Sequence, residues 1–270
     1  MKITFLGGGN MAIALVGGLI QRGFNAQGLA VIEILPEARE RLSAQFPIRV
    51  FGEASAEALA CDVLVLAVKP QQMREALAGL PAGGKRPLIV SIAAGLLVND
   101  LARWMDGYHR IVRAMPNTPA LIGAGMTGLY ADPAVTAADR QHAEAILGAV
   151  GETVWVENEA LIDSVTAISG SGPAYVFLFL EAMQEAGLAL GLSPEATHKL
   201  AIQTVLGAGQ LARQSADPVD VLRQRVTSKG GTTAAALDKM ADLGVKTGLI
   251  AGMKAAAERS RELGVELGRG

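Results

Sequence analysis

The strongest constraint on the fold is an alternation of two sequence periods over the first 150 residues. Short apolar runs alternate with segments of helical period, and Val63–Val68 is apolar at every position, as in a strand covered on both faces. This alternation is typical of a doubly wound, mostly parallel sheet. The predicted strands are Lys2–Leu6, Leu29–Ile34, Val63–Val68, Leu88–Ala93 and Arg110–Arg113, and the predicted helices are Met11–Gln21, Glu37–Gln45, Gln71–Leu80 and Val98–Met105.

The pattern changes after about residue 160, where strand signals cease and Ala/Leu-rich segments predict about five helices. Ser193-Pro194 and Asp217-Pro218 each place a capping residue before a proline at the first helical position. The last two segments, Thr232–Leu243 and Val245–Leu267, are apolar on more than one face, as in helices that are buried or pair with another chain. We therefore predict an α/β domain of Rossmann type over residues 1–160 and an all-α dimerisation domain over residues 161–270.

Composition excludes several classes of function. The 24 basic and 26 acidic residues give a net charge of −2, so we expect no nucleic-acid partner. The single cysteine, Cys61, forms no internal disulfide and has no zinc-ligand spacing around it, so we predict a core cysteine and no metal site. Asn10 and three glycines interrupt the apolar stretch Met1–Ile20. We therefore expect a cytoplasmic chain with no secretion signal and no membrane-spanning run.

A glycine-rich turn follows the first predicted strand and opens the first helix. Gly7, Gly9 and Ala12 have the spacing G-x-G-x-x-A, which is the fingerprint of dinucleotide binding in a βαβ unit. Gly7 makes the tight turn, Gly9 leaves room for a pyrophosphate, and Ala12 lets the helix pack close to the strand. The helix N-terminus offers free N–H groups to the phosphates. The predicted cofactor-binding residues of this turn are Gly7, Gly8, Gly9, Asn10 and Met11.

Three further loops are predicted at the carboxyl ends of strands, where open α/β sheets bind ligands. Glu33 lies 24 residues after Gly9, where a carboxylate accepts hydrogen bonds from ribose hydroxyls; it favours NADH over NADPH, unless it is only a solvated strand end. Lys69 is a cofactor contact or a strand-end charge. The candidate cofactor-binding residues of these loops are Glu33, Ala67, Val68, Lys69, Pro70, Met115, Pro116 and Asn117.

A hydroxyl- and glycine-rich loop precedes the helix at Thr232. Backbone N–H groups around Gly230 and Gly231, together with the start of the helix, are typical of a cradle for a carboxylate, although an ordinary helix cap with flanking glycines fits the same residues. The segment Ser169–Tyr175 opens another helix at Pro173, and it either approaches the cofactor or only packs. None of the three histidines lies in a catalytic motif, and no nucleophile–base pair stands out. Reduction of a cyclic imine needs neither.

Together these motifs resemble the pyrroline-5-carboxylate reductases, and the resemblance covers essentially the whole chain. It rests on the front fingerprint, Ala-Val-Lys-Pro, Met-Pro-Asn-Thr-Pro, Ser-Gly-Ser-Gly-Pro-Ala-Tyr and Val-Thr-Ser-x-Gly-Gly-Thr-Thr. It implies hydride transfer from NADPH or NADH to 1-pyrroline-5-carboxylate, giving proline. It also implies a homodimer, with dimers that often assemble into rings, and an active site between the cofactor domain and helices.

The resemblance also implies roles for the loop near Thr232. Gly230, Gly231 and Thr232 would bind the substrate carboxylate through backbone N–H groups, Thr233 would hydrogen-bond the ring nitrogen, and Ser228 would shape the loop. Lys229 departs from the family, which usually has proline there. Two rival hypotheses are a β-hydroxyacid dehydrogenase, whose catalytic lysine is absent from the helix at 174–181, and a non-enzymatic dinucleotide-binding regulator, which would not need the loop.

Overall fold

The computed structural model describes residues 1–81 and 86–269. Within them the chain packs into two compact units. The first consists of Met1–Ser171 and the C-terminal stretch that begins at Ala256, and the second is Gly172–Ala255. These units are defined by compactness, and the predicted boundary of the functional domains between residues 160 and 161 stays a prediction.

The first unit is built on an eight-stranded sheet with the order β3-β2-β1-β4-β5-β6-β7-β8. Strands β1 to β6 are parallel to one another, whereas β7 runs antiparallel to β6 and β8 runs parallel to β7. The first six strands thus have the order of a dinucleotide-binding sheet, which confirms the predicted fold class. The strands are β1 Ile3–Leu6, β2 Leu29–Ile32, β3 Arg49–Phe51, β4 Val63–Leu66, β5 Leu88–Ser91, β6 Ile111–Met115, β7 Gly125–Ala131 and β8 Gly151–Trp155.

Helices cover both faces of this sheet. One apolar cluster packs Leu15 and Ile146 against the strands, and the other packs Met73 and Leu101 against the opposite face. Because β1, β2, β4 and β5 are buried on both faces, they have the continuous apolar runs from which they were predicted. The helices are α1 Asn10–Gln21, α2 Pro36–Gln45, α3 Met73–Ala78, α4 Val98–Trp104, α5 Ala137–Leu147 and α6 Leu161–Val165.

A buried arginine links several elements of the first unit. Arg113 in β6 is 1% exposed; its guanidinium lies 3.2 Å from Glu159 Oε1 and 3.7 Å from Asp163 Oδ1. Glu159 also accepts the backbone N–H of Val98, at the start of α4, at 2.7 Å. Ser260 donates its hydroxyl to Asp163 at 2.7 Å. The guanidinium therefore ties the sheet to α4, to α6 and to the C-terminal helix.

The second unit is helical, as predicted. Ser193 caps its helix by accepting the N–H of Ala196. The helix after Asp217 differs from the prediction, because Pro218 is the capping residue and the helix begins at Val219. The helices are α7 Gly172–Ala189, α8 Pro194–Gln214, α9 Val219–Arg225, α10 Thr232–Asp242 and α11 Val245–Gly268, whose last half belongs to the first unit.

The α7 surface is apolar and exposed. Its consecutive residues Val176, Phe177, Leu178 and Phe179 are 42–63% exposed. By length and composition alone, the helical stretch Leu161–Ala189 could cross a membrane, and 6% of its most apolar window is buried. The sequence predicts no membrane-spanning run, whereas the backbone stays helical from α6 through residues 166–170 into α7, which makes this stretch long enough.

Candidate active site

The turn after β1 requires glycine at position 7. Gly7 has a φ of +103°, and its N–H donates to Ile32 O at 2.8 Å. A β-carbon there would lie 2.9 Å from the backbone carbonyl of Ala67, at the end of β4. Any side chain at position 7 would therefore push β1 and β4 apart.

The space in front of α1 fits a phosphate group. Gly9 is the N-cap of α1, and no side chain caps the first turn, which begins with Asn10 and Met11. A β-carbon on Gly9 would meet no atom within 4 Å, so its backbone faces open space. Ala12 is fully buried beneath the turn. These residues leave uncapped N–H groups and free space where a dinucleotide places its pyrophosphate.

Glu33 lies beside this turn and is held by backbone N–H groups. Its Oε2 accepts the N–H of Gly8 and its Oε1 accepts the N–H of Leu35, both at 2.9 Å. Arg39 donates to Glu33 O at 3.0 Å and to Ile34 O at 2.8 Å. The guanidinium of Arg39 is thus engaged with the loop backbone, and the carboxylate of Glu33 is the charged group next to the glycine turn.

The loops after β4 and β6 lie at the same edge of the sheet, because both strands are parallel to β1. Ala67 donates its N–H to Leu6 O at 2.8 Å, which brings Ala67–Pro70 next to the glycine turn. Lys69 is exposed before the 3-10 turn Pro70–Gln72. Met115 ends β6, which lies two strands from β4, and Pro116 and Asn117 follow it. The structure therefore gathers every predicted cofactor-binding segment of the first unit at one edge.

The side chain of Asn117 already has two partners within the protein. Its Oδ1 accepts the N–H of Met126 at 2.8 Å, and its Nδ2 donates to Ser169 O at 3.0 Å. A direct contact of this side chain with the cofactor stays a prediction, because an amide has capacity for further hydrogen bonds.

Sequence reasoning missed the loop after β5. This strand lies between β4 and β6, so the loop Ile92–Gly95 lies at the same edge of the sheet as the glycine turn. Ile92 donates its N–H to Leu66 O at 3.1 Å, which continues the parallel pairing with β4 up to this loop. The small residues Ala93-Ala94-Gly95 after a predicted buried strand were the signal that could have identified it.

The loop before α10 belongs to the second unit and forms a tight turn. Gly231 donates its N–H to Ser228 O at 3.0 Å, and Gly230 has a φ of +71°. Positive φ at the third residue is the requirement of a type II turn, whose second position, here Lys229, favours proline. The N-cap of α10 is Gly231, with no side-chain cap, and Thr232 and Thr233 form the first turn. The loop therefore presents uncapped N–H groups next to two hydroxyls.

The prediction about the single cysteine has a structural outcome. Cys61 is 6% exposed, and burial raises the pKa of its thiol, which confirms a core cysteine. Among the residues that the structure describes, no cluster of three histidine, cysteine or acidic side chains could hold a metal ion. The hydroxyl of Tyr175, in the Ser169–Tyr175 segment, is buried without a hydrogen-bond partner.

Two family models match the chain. The model described as NADP oxidoreductase, coenzyme F420-dependent, matches residues 2–95, and that described as pyrroline-5-carboxylate reductase dimerisation matches residues 159–263. The first match covers the glycine turn, Glu33 and the loops after β4 and β5. The second covers the loop before α10 and most of the helical region.

Similar proteins match the chain over nearly its full length. The pyrroline-5-carboxylate reductase of Pseudomonas aeruginosa is 45% identical over 99% of this chain and 98% of its own. A solved pyrroline-5-carboxylate reductase structure from Coxiella burnetii has a TM-score of 0.91 and 39% identity, covering 97% of this chain and 98% of its own. The Plasmodium falciparum pyrroline carboxylate reductase, solved with NADP bound, has a TM-score of 0.86 and 30% identity over 98% of both chains.

Proposed function

The chain belongs to the pyrroline-5-carboxylate reductase family, and from this premise we propose how its own residues divide the work of the reaction. The protein is an oxidoreductase that uses NAD(P)H to reduce 1-pyrroline-5-carboxylate to L-proline, the last step of proline biosynthesis. The full-length similarity to named reductases carries this conclusion. The similarity favours neither a β-hydroxyacid dehydrogenase nor a non-enzymatic regulator.

The dinucleotide is held at the carboxyl edge of the sheet. Asn10 and Met11 bind its pyrophosphate through the uncapped N–H groups at the start of α1, in the open space that faces Gly9. Gly7 and Gly8 shape the turn, and their own N–H groups are donated to Ile32 O and to the Glu33 carboxylate. Ala67–Pro70 and Met115–Asn117 form the far wall of the site. When bound, the reduced nicotinamide supplies a hydride to C5 of the protonated imine. The task of the protein is to hold the two reactants in a reactive orientation, which contributes about 7–11 kcal/mol in well-oriented systems.

The loop before α10 binds the substrate. The N–H groups of Gly230 and Thr232 hold its carboxylate, supported by the uncapped start of α10. The predicted contact through the N–H of Gly231 is corrected, because that N–H is donated to Ser228 O within the turn. The hydroxyl oxygen of Thr233 accepts a hydrogen bond from the ring nitrogen, which carries the proton of the imine. Ser228 shapes the turn, because its backbone carbonyl accepts the N–H of Gly231.

NADH serves at least as well as NADPH. The carboxylate of Glu33 lies next to the glycine turn, where it accepts ribose hydroxyls and repels a 2′-phosphate. Arg39 donates to two loop carbonyls instead of facing a phosphate. This arrangement supports a preference for NADH, whereas family membership alone does not decide between NADH and NADPH.

The helical region, residues 161–270, forms a homodimer, and dimers assemble further into rings. The exposed apolar residues of α7 and the match to a dimerisation family support a second copy as the cover of this face, rather than lipid or nucleic acid. The enzyme acts in the cytoplasm, which fits a biosynthetic reductase with one buried cysteine.

The test of the function is an assay of the purified chain with 1-pyrroline-5-carboxylate and each reduced cofactor. We expect proline in amounts equal to the cofactor oxidised, with kcat/KM for NADH at least comparable to that for NADPH. No proline with either cofactor would contradict the function. A kcat/KM about tenfold higher with NADPH, equivalent to about 1.4 kcal/mol, would contradict only the role of Glu33.

A further inference from the structure

Two segments of the first unit meet at Asn117. One is the loop after β6, and the other is the helical turn Thr166–Gly170, which joins α6 to the start of α7. This turn is a π-helix, in which Ser171 donates its N–H to Thr166 O at 2.7 Å, five residues back. Single π-turns are rare, cost stability relative to an α-helix and occur frequently at functional sites. Surrounding contacts must therefore maintain this one.

Pro173 deprives one carbonyl of the π-turn of its usual α-helical donor. In a continuous helix Ser169 O would accept the N–H of residue 173, but Pro173 has none. The Nδ2 of Asn117 supplies the missing donor at 3.0 Å. The amide therefore gives this carbonyl a donor in place of the N–H that Pro173 lacks.

The oxygen of the same amide replaces a backbone hydrogen bond that the pairing of β6 with β7 would otherwise make. The register of β6 and β7 pairs Met115 with Gly128, and continuing it places residue 117 opposite Met126. The backbone carbonyl of Asn117 instead accepts the N–H of Ala120 in the following 3-10 turn. Its side-chain Oδ1 takes the N–H of Met126 in place of that carbonyl, at 2.8 Å.

Tight packing accompanies the hydrogen bonds. A β-carbon on Gly170 would lie 2.6 Å from Met115 Cε, so the π-turn rests directly on the last residue of β6. On the far side of the turn, a β-carbon on Gly128 would lie 2.5 Å from Val165 Cγ1. Relaxation of the π-turn to an α-turn would shift Ser169–Ser171 by one residue, and these contacts oppose that shift.

We propose that Asn117 is a positioning residue for the reductase: its amide clamps the π-turn Thr166–Gly170 to the end of β6, and so fixes Ser169–Ser171 for catalysis. This inference rests on the proposed function, because it assigns the clamped turn to the active site at this edge of the sheet. It differs from the direct cofactor contact that the sequence predicts for Asn117. The side chain acts through the backbone of Ser169, and its removal changes the geometry of the turn rather than a contact with the dinucleotide.

The test compares Asn117→Asp with wild type. Aspartate keeps an oxygen for the N–H of Met126 but places a second oxygen against Ser169 O, so it breaks only one end of the clamp. In the cofactor-free protein, amide hydrogen exchange over residues 166–171 should be about tenfold faster. The kcat/KM for the imine should fall about tenfold to hundredfold, with the dissociation constant for NADH within about twofold of wild type.

Asn25→Asp is the matched control. Asn25 accepts the N–H of Gln27 in an exposed turn before β2, and aspartate preserves this bond, so exchange at 166–171 and kcat/KM should both stay at wild-type values. Asn117→Ala removes both ends of the clamp without adding charge, and it should lower kcat/KM at least as much as Asn117→Asp. It also provides the test if the aspartate variant does not fold.

Three results would overturn the proposal. The first is wild-type kcat/KM in folded Asn117→Asp or Asn117→Ala. The second is weaker NADH binding with unchanged exchange at 166–171, which would make Asn117 a direct ligand. The third is an activity loss that thermal unfolding of the variant fully explains. If the wild type itself reduced no imine, the proposed function would fail, and the exchange measurement would still report on the clamp.

Discussion

The two compact units differ sharply in how far each buries its own apolar residues. In the first unit, strands such as β1 and β4 are buried at every position, and two apolar clusters cover both faces of the sheet. In residues 172–255, all of which the structure describes, four are buried, namely Leu180, Gly187, Thr197 and Ala201. The first unit therefore completes its core within one chain, and the second does not.

The composition of the helices explains this difference. A helix at the surface of a monomer is apolar on one stripe only, whereas α7 exposes four consecutive apolar residues from Val176 to Phe179. Helix α10 has no buried residue at all. Large exposed apolar surfaces mark sites of association, so we expect the second unit to reach its full stability only as part of an oligomer.

The largest expected effect is on this association. Phe177→Glu places a charge in the centre of the exposed surface of α7, and burial of an unpaired carboxylate against apolar side chains is strongly unfavourable. We expect the dissociation constant of the dimer to rise at least about 100-fold, equivalent to about 2.7 kcal/mol. Sedimentation equilibrium measures this change. Reductase activity should fall in parallel.

Val154→Glu is the matched control in the first unit. Val154 lies on the edge strand β8 and is 43% exposed, so a charge there should change the free energy of unfolding by no more than about 0.5 kcal/mol. If Phe177→Glu and Val154→Glu behaved alike, or if the wild type were a fully active monomer, the second unit would not need a partner.

The second largest effect tests the self-sufficiency of the first unit. Arg113→Met leaves Glu159 and Asp163 with no cation at a buried site, and breaking a buried ion pair from one side costs about 3–5 kcal/mol. Urea unfolding should show this loss. Arg103→Met removes a 55% exposed guanidinium beside Asp100 and should cost less than about 1 kcal/mol. Equal losses would contradict the role of Arg113 as the buried link.

The sequence predicted the elements whose burial follows a simple period. The continuous apolar runs of β1, β2, β4 and β5 identified the parallel sheet. The predicted strands for β2, β4 and β5 extend two residues beyond the observed carboxyl ends, and the predicted strand for β6 stops two residues short. Three strands were not predicted. β3 has three half-buried residues and β8 alternates exposed and half-buried positions, so neither has a buried run. β7 is mostly buried, but its two glycines and Thr127 interrupt the apolar pattern. Their formation depends on pairing with neighbours already in place.

The candidate site was predictable where it depends on local backbone chemistry. The need for glycine at Gly7, with its positive φ, follows from the motif spacing alone. The π-turn at Thr166–Gly170 and its clamp by Asn117 were not predictable, because they join residues 52 positions apart. The two backbone hydrogen bonds of the Glu33 carboxylate likewise appear only when β1 and β2 are side by side.

The third prediction concerns acid stability, which should depend on the first unit. Hydrogen bonds from Arg110 at 2.5 and 2.8 Å lower the pKa of Asp139 to about 2, and Thr136 adds to this effect. A lowered pKa means that the carboxylate stabilises the fold above its unfolded value of 3.8, and that this contribution disappears as the pH falls to about 2.

Asp139→Asn should therefore be less stable than wild type at pH 7 by about 2 kcal/mol. The difference should shrink between pH 4 and pH 2, as measured by urea unfolding at a series of pH values. Asp132→Asn, at the partly exposed pair with His109, provides a comparison in the same unit. A difference between Asp139→Asn and wild type that stayed constant down to pH 2 would show that the ionised carboxylate contributes nothing specific.

The last prediction concerns the second unit and has the smallest expected effect on the fold. It distinguishes the roles of the two neighbouring hydroxyls of Thr232 and Thr233. Thr233→Val keeps the shape of the side chain but removes the group proposed to hydrogen-bond the ring nitrogen, and an unmet hydrogen bond in a closed site costs about 1–3 kcal/mol. If that loss is expressed in the transition state, kcat/KM falls about tenfold to hundredfold.

Thr232→Val should have little effect, because valine retains the backbone N–H that holds the carboxylate. Both residues occupy the first turn of α10, so oligomer stability and NADH affinity should be unchanged in both variants. Equal small losses of kcat/KM would mean that the loop only caps the helix, and that the ring nitrogen finds its partner elsewhere.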